Sequence, residues 1–285
     1  MTIQKTMTQK VFERYLAGGS RWERNAILRI KPTGVLMQDA TGVTALAQYL
    51  ILRPDATSVE VPIAVQYIDH NTLAINNRNA DDHNFLKSVC KRLGIYCSLA
   101  GNGICHQVNT ERFAMPYDFW IGSDSHTSTS GALGCIAIGA GGIEVATILA
   151  GYPFQIKTPK VYGIYLMGKL SDWVEAKDLI LQVLRILGVK GGVGYVLEFF
   201  GPGVKTLSLE ERATICNMGA ETGATTTIFP ADEQTRRFLK IQEREHDYEP
   251  LFPDRGVQYD EMMYLDLSTI VPLVATPHSP GGKNV

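Results

Sequence analysis

Phe119-Trp120-Ile121-Gly122-Ser123-Asp124-Ser125-His126-Thr127 is the stretch on which the reading of this chain turns. An apolar run ends in a sharp turn that carries a carboxylate, serine hydroxyls and an imidazole, and a glycine-rich stretch, Gly131 to Gly142, follows. That is the pattern of a strand ending in a catalytic loop. An Asp and a His two residues apart cannot both enter a core cheaply, because buried charge is costly unless it is paired.

Two further stretches have the same character. Val59 to Ile68 reads as a strand and ends in Asp69-His70. Gly101-Asn102-Gly103-Ile104-Cys105-His106-Gln107 places a histidine after two glycines that free the backbone. Three of the six histidines thus fall where loops begin. Ligands of open α/β sheets bind at the carboxyl ends of strands. Acid–base chemistry needs a histidine whose tautomer and pKa a carboxylate sets.

Composition bounds the function. At 285 residues, 45% hydrophobic and 20% charged, the chain is an ordinary globular sequence long enough for two domains. A net charge of -2 gives no footprint for nucleic acid. The apolar run from Gly134 to Gly151 is broken by glycines and Glu144, so no membrane span is expected. Met1 to Leu16 has charges scattered through it and reads as an amphipathic helix rather than a signal. A cytoplasmic protein is expected. The five cysteines, Cys90, Cys97, Cys105, Cys135 and Cys216, show no CxxC spacing. They read as small buried apolar residues in a reducing compartment, not as a metal framework.

Helix and strand signals alternate, which predicts α/β layers. Asp81 to Leu93 reads as a helix, Tyr96 to Ala100 and Val161 to Met167 as strands. Ser171-Asp172 predicts the cap of a helix with the stripe Trp173, Ala176, Ile180, Val183, Leu184, Leu187, stopped by Gly188. Glu210 to Met218 is expected to be helical and Ala224 to Phe229 a strand. A boundary between Pro153 and Pro159 divides the chain into domains over 1–159 and 160–278, with a tail over 279–285. Gly139-Ala140-Gly141-Gly142-Ile143-Glu144 mimics a dinucleotide loop but lacks its last glycine, and reads as a tight turn. His83 and Gln107 read as ordinary polar groups; His246 and His278 have no assignable role.

In order along the chain stand Gln38-Asp39-Ala40-Thr41-Gly42, Asp69-His70-Asn71, Gly101 to Gln107, Gly122 to Thr127, Lys190-Gly191-Gly192-Val193-Gly194, Phe200-Gly201-Pro202-Gly203-Val204 and Cys216-Asn217-Met218-Gly219-Ala220-Glu221. Together they resemble the aconitase family, which also includes 3-isopropylmalate and homoaconitate dehydratases. The resemblance implies an aconitase-like three-layer α/β/α fold, of which this chain would be the first two domains. It implies three carboxylate–imidazole pairs, Asp69–His70, Asp124–His106 and Glu221–His126, with His70 helping to protonate the leaving hydroxyl. Gln38 and Ser125 would bind substrate, and Asn217 would lie beside a [4Fe-4S] cluster. Read singly, an Asp-His is a surface pair and Asn-Met-Gly-Ala-Glu a helix terminus.

The family's cluster cysteines, in Ser/Thr-Cys-Thr-Asn-Ser and Cys-Gly-Pro-Cys-like motifs, do not occur in this sequence. Nor do the substrate arginines and serine base of the later domains. Ser128, Ser130 and Ala132 stand where many aconitases have Pro or Gly. The expectation is a hydro-lyase part, inactive alone, holding no metal and no cluster itself. Missing sequence or a partner polypeptide would supply the cysteines, and the substrate would be a small tricarboxylic or 2-hydroxy acid. The alternatives are part of a 3-isopropylmalate or homoaconitate dehydratase, a metal-independent acid–base enzyme, and a non-catalytic remnant that acts as a binding module.

Overall fold

The computed structural model describes residues 4–277. His278 and the tail expected over 279–285 lie outside them.

In chain order come α1 (Met7–Arg14), β1 (Ile27–Ile30), β2 (Gly34–Gln38), α2 (Asp39–Leu52), β3 (Ile63–Tyr67), α3 (Asn77–Leu93), β4 (Tyr96–Ser98), α4 (Cys105–Arg112) and β5 (Phe119–Gly122). A 3-10 stretch, Ser125–Leu133, leads to β6 (Ile136–Gly139), α5 (Gly142–Leu149), β7 (Phe154–Lys157), β8 (Lys160–Met167) and α6 (Ala176–Leu187). Then follow β9 (Tyr195–Phe200), α7 (Leu209–Gly219), β10 (Thr226–Ile228), α8 (Glu233–Ile241) and β11 (Glu261–Asp266).

The first sheet is parallel throughout, in the order β4-β3-β2-β5-β6. Apart from the edge strand β4, whose Tyr96 is exposed, its strands are largely buried on both faces, and their side chains alternate between two apolar clusters. Val35, Met37, Ala64, Phe119, Ile121, Ile136 and Ile138 join Ala45, Leu46 and Tyr49 of α2 and Leu86 and Val89 of α3. Leu36, Val65, Tyr67, Trp120 and Ala137 turn the other way, onto α4, the 3-10 stretch, α6 and α7. This gives helix, sheet and helix layers. The second sheet, β10-β9-β8-β11, is also parallel, and β1 pairs with β7 in an antiparallel ribbon. The sheets change between β7 and β8, but both clusters draw on residues from either side of that point.

One helix begins later than its sequence predicts. Ser171-Asp172 does not cap α6; Glu175 does, and its N–H donates to Asp178 Oδ2 at 2.8 Å. Trp173 lies outside the helix, 91% exposed, with φ +67°. A left-handed residue ends any helical run that passes through it. Gly188 stops α6 as expected.

The strand order reverses between β2 and β5, which opens a crevice beyond their carboxyl ends. The loops after β2, β3, β4 and β5 all emerge there. The 3-10 stretch after β5 runs for 9 residues, unusually long for this geometry. Tertiary bonds hold it: Ser128 Oγ donates to the Cys216 carbonyl at 2.8 Å, and Phe229 N to the Gly131 carbonyl at 3.0 Å. At Gly131 a Cβ would sit 1.9 Å from the Thr227 carbonyl oxygen. Gly131→Ala must therefore push α7 and β10 away from the first sheet. It is expected to cost about 3 kcal/mol, the upper range for overpacking, read by urea unfolding. A loss under about 0.5 kcal/mol would contradict this close approach.

Candidate active site

At the end of β5, Gly122 gives way to the turn that begins the 3-10 stretch. Asp124 caps that stretch, its Oδ1 accepting the His126 N–H at 2.8 Å. Thr127 Oγ1 donates to the Asp124 carbonyl at 2.6 Å, which fixes the turn from its other side. Asp124 also faces three imidazoles. His106 Nε2 lies 3.0 Å from Oδ1, His70 Nε2 3.3 Å from Oδ2, and His126 Nδ1 3.7 Å from Oδ1. Burial alone would raise the Asp124 pKa. Hydrogen bonds from His106 and His126 outweigh it and hold the carboxyl far below the usual carboxylate range.

His70 and His126 each have a second partner, and the two differ. His70 Nδ1 is 2.9 Å from Asp69 Oδ1, so both its ring nitrogens face carboxylates. That arrangement favours the doubly protonated ring. Burial lowers the His70 pKa, but Asp69, then Asp124 and Asp39, raise it overall. His126 Nε2 is 3.3 Å from Glu221 Oε1, and its Nδ1 is 3.3 Å from Ser125 Oγ. Asp124 first, then Glu221, raise the His126 pKa against burial. His106 Nδ1 is buried and has no hydrogen-bond partner. The side chains of His70 and His126 are 39% and 35% exposed, and that of His106 is 9%. Two imidazoles therefore face the crevice, while the third lies beneath them.

Asp69 ties two loops together: its Oδ2 accepts the Cys105 N–H at 2.7 Å, where α4 starts and delivers His106. Gln38 is buried, and its Oε1 accepts from Ala40 N at 2.5 Å and Thr41 N at 3.3 Å, capping α2. That oxygen is committed to the fold rather than turned to the crevice. Asn217 Nδ2 donates to Thr129 Oγ1 at 3.0 Å and makes no bond to the histidine cluster. Ser125 is exposed, and Gln107 is exposed on α4. His83 is buried on α3, 3.8 Å from Asp39. Gly139, from the glycine-rich mimic, passes the Asp124 carbonyl so closely that a Cβ would come within 2.7 Å of it.

Asp39 is the residue that sequence reasoning passed over. Its carboxylate accepts the N–H groups of Asp69, His70 and Asn71. In the sequence it reads as an acid in the first turn of a helix; the one local signal is its place in Gln38-Asp39-Ala40, just past a strand.

Carboxylate-clamped imidazoles at the strand ends of a parallel sheet define an acid–base site of the α/β class. The sequence pattern of the aconitase family (aconitate hydratase) matches residues 9–284, and the chain belongs to that family. It is 40% identical over 273 residues to homocitrate dehydratase, mitochondrial, of Saccharomyces cerevisiae, covering 90% of this chain and 35% of the relative. Aconitate hydratase, mitochondrial, of Schizosaccharomyces pombe is 38% identical over 270 residues, covering 89% and 34%. Probable aconitate hydratase, mitochondrial, of Caenorhabditis elegans is 39% identical over 267 residues, covering 89% and 34%. The chain spans about a third of the length of these relatives. Their names correct the expected compartment: the relatives are mitochondrial proteins, and a merely ordinary composition does not outweigh them. Among the described residues no helix is long and apolar enough to cross a membrane.

The cysteines of this chain do not fit an iron–sulfur cluster. Cys90, Cys105, Cys135 and Cys216 are buried and Cys97 is half-buried. Burial pushes the Cys105, Cys135 and Cys216 thiols up, away from the thiolate a metal needs. Among the described residues the cysteines form no group of three with metal-ligand spacing; Asp39, Asp69 and His70 do.

Proposed function

We propose that this chain supplies the acid–base half of an aconitase-type hydro-lyase acting on a tricarboxylic 2-hydroxy acid. One observation carries this reading: both nitrogens of the exposed His70 ring face carboxylates, which keeps the ring protonated, and Nε2, in the longer 3.3 Å contact with Asp124, would turn its proton from that carboxylate to a leaving hydroxyl. Protonated there, the hydroxyl departs as water. In the hydration direction, His70 takes the proton back. Asp69 and Asp124 orient the ring and stabilise its charge, and His126, held by Asp124 and Glu221, adds a second positive group. Ser125 Oγ lies beside His126 and would bind a substrate carboxylate. The base for the carbon proton, and the [4Fe-4S] cluster, are assigned to sequence outside this chain. Leu73, Ile75 and Ile104, on the loops after β3 and β4, are 83%, 82% and 61% exposed, which supports a covering partner there. The relatives support a mitochondrial location.

The test is complementation with a polypeptide that carries the two cysteine motifs, followed by cis-aconitate hydration. The complex should be active, the lone chain inactive, and His70→Ala should lower the complex's kcat by about 10²–10⁴-fold. Activity unaffected by His70→Ala would reject the reading. A substrate one methylene longer is the second reading, favoured by the homocitrate dehydratase relative. Running both acids in the same assay separates the two.

A further inference from the structure

The strand order β3-β2-β5 puts the tip of β2 between the strand that ends near Asp69-His70 and the one that ends near Asp124. Asp39 occupies that tip. Its Oδ1 accepts the N–H of Asp69 at 2.9 Å and of His70 at 2.8 Å, and its Oδ2 accepts the N–H of Asn71 at 2.8 Å. Three consecutive amides converge on one carboxylate whose side chain is 1% exposed. Such a run of N–H groups is an anion-binding nest, here filled by a side chain of the same fold.

From this geometry we infer that Asp39 is the positioning residue of the site: it pins the backbone of Asp69 and His70 so that the His70 ring bridges Asp69 and Asp124. The inference rests on the reading of His70 as the acid. Asp39 itself touches neither His70 ring nitrogen in the hydrogen bonds of the structure, and both its oxygens are committed to amides. That commitment also speaks against Asp39 as a metal ligand, although its oxygen lies within 4.8 Å of ligand atoms of Asp69 and His70. A cation there would have to displace N–H groups that point their positive ends at the same oxygens. His83, reaching across from α3, stands 3.8 Å from Oδ2 and has no hydrogen-bond partner on Nε2. It backs the nest from behind rather than competing for it.

The carboxylate's own ionisation agrees. Burial pushes the Asp39 pKa up, but the bonds from His70, Asp69 and Asn71 pull it below its ordinary value. The charged groups that face His70 are Asp69, Asp124 and Asp39, and Asp124 is shared with His106 and His126.

Nuclear magnetic resonance on the full 285-residue chain tests this without requiring catalysis. In the unsubstituted chain, the Asp69, His70 and Asn71 amides should exchange with solvent at least about a hundredfold more slowly than in an unfolded peptide. Asp39→Asn should speed their exchange at least about tenfold. It should also lower the His70 titration midpoint while leaving that of His126 in place, because Asp39 faces only the first. Unprotected amides in the unsubstituted chain would overturn the inference, even if Asp39→Asn fails to fold. So would a His70 midpoint that stays put, or one that moves in step with His126, the mark of general loosening. Loss of activity in His70→Ala decides the acid reading separately. A pinned loop with a dispensable His70 would leave Asp39's structural action standing and remove its catalytic meaning.

Discussion

Replacing Asp124 by asparagine should lower the activity of the completed enzyme by about 10³-fold or more, at the upper end of what one acid–base group contributes. No other carboxylate in the cluster faces three imidazoles. Asparagine keeps the shape and the cap on His126 but removes the charge that holds His70 and His126 protonated. The pH profile of stability should change with it. A carboxylate held below its ordinary pKa contributes stability that is present above about pH 4 and is lost as pH falls further. A histidine raised above its ordinary value contributes stability that is fully present below about pH 6.5 and is lost as pH rises through the folded pKa. The parent chain should therefore be most stable between these limits. Asp124→Asn should flatten both flanks, as thermal unfolding across pH would show. An Asn variant with near-parent activity and the parent's pH profile would remove Asp124 from the centre of the site.

The second large effect is on stability. Arg212 is 0% exposed, and its guanidinium is clamped by four acceptors. NH1 donates to Asp232 Oδ1 at 2.8 Å and the Pro230 carbonyl at 3.2 Å; NH2 donates to Asp232 Oδ2 at 2.8 Å and the Val204 carbonyl at 3.0 Å. Asp232 in turn caps α8 through the Gln234 N–H at 3.0 Å. Arg212→Ala leaves the buried Asp232 carboxylate with the Gln234 N–H but no cation, and takes a donor from the Pro230 and Val204 carbonyls. It is expected to cost about 3–5 kcal/mol, the range for breaking one partner of a buried pair. Arg212→Lys should recover only part of this, since an ammonium cannot bond both carboxylate oxygens in the forked geometry. Because α7 also carries Asn217 and leads into Glu221, the same substitution should loosen the Glu221–His126 contact. A loss below about 1 kcal/mol in urea unfolding would show that the pair does not hold α7 in place.

Part of the fold was legible because two strands of the first sheet are short apolar runs that end close to charged residues. Phe119-Trp120-Ile121 before Asp124, and Val59 to Ile68 before Asp69-His70, announce both a strand and the loop at its carboxyl end; the second strand forms only over Ile63–Tyr67. Helix boundaries were less legible where side-chain chemistry was ambiguous. Ser171-Asp172 is as good a cap by composition as Glu175, and only the left-handed backbone at Trp173 decides between them. The shared core was hidden as well. Prolines at 153 and 159 suggest a seam, but apolar periodicity does not say which layer a face packs on, and both clusters cross it.

At the site, the resemblance to the family implied each His–carboxylate pair. The sharing of Asp124 among three rings could not be read there, since it depends on loops from β3, β4 and β5 meeting at one switch point. Asp39 was invisible for a related reason. Its partners are backbone amides thirty or more residues away, and amides leave no trace in a sequence. For Gln38 the resemblance implies substrate contact; what its backbone neighbours add, and the sequence does not show, is that its side-chain carbonyl oxygen caps α2.

The most direct test is the titration of His70 and His126 by nuclear magnetic resonance in the 285-residue chain, with and without Asp124→Asn. The expected result is that His70 and His126 titrate above the ordinary histidine value of about 6.5, and that both midpoints fall together in the variant. Midpoints at or below that value in the parent chain, unmoved by Asp124→Asn, would contradict an acid–base site built around this carboxylate.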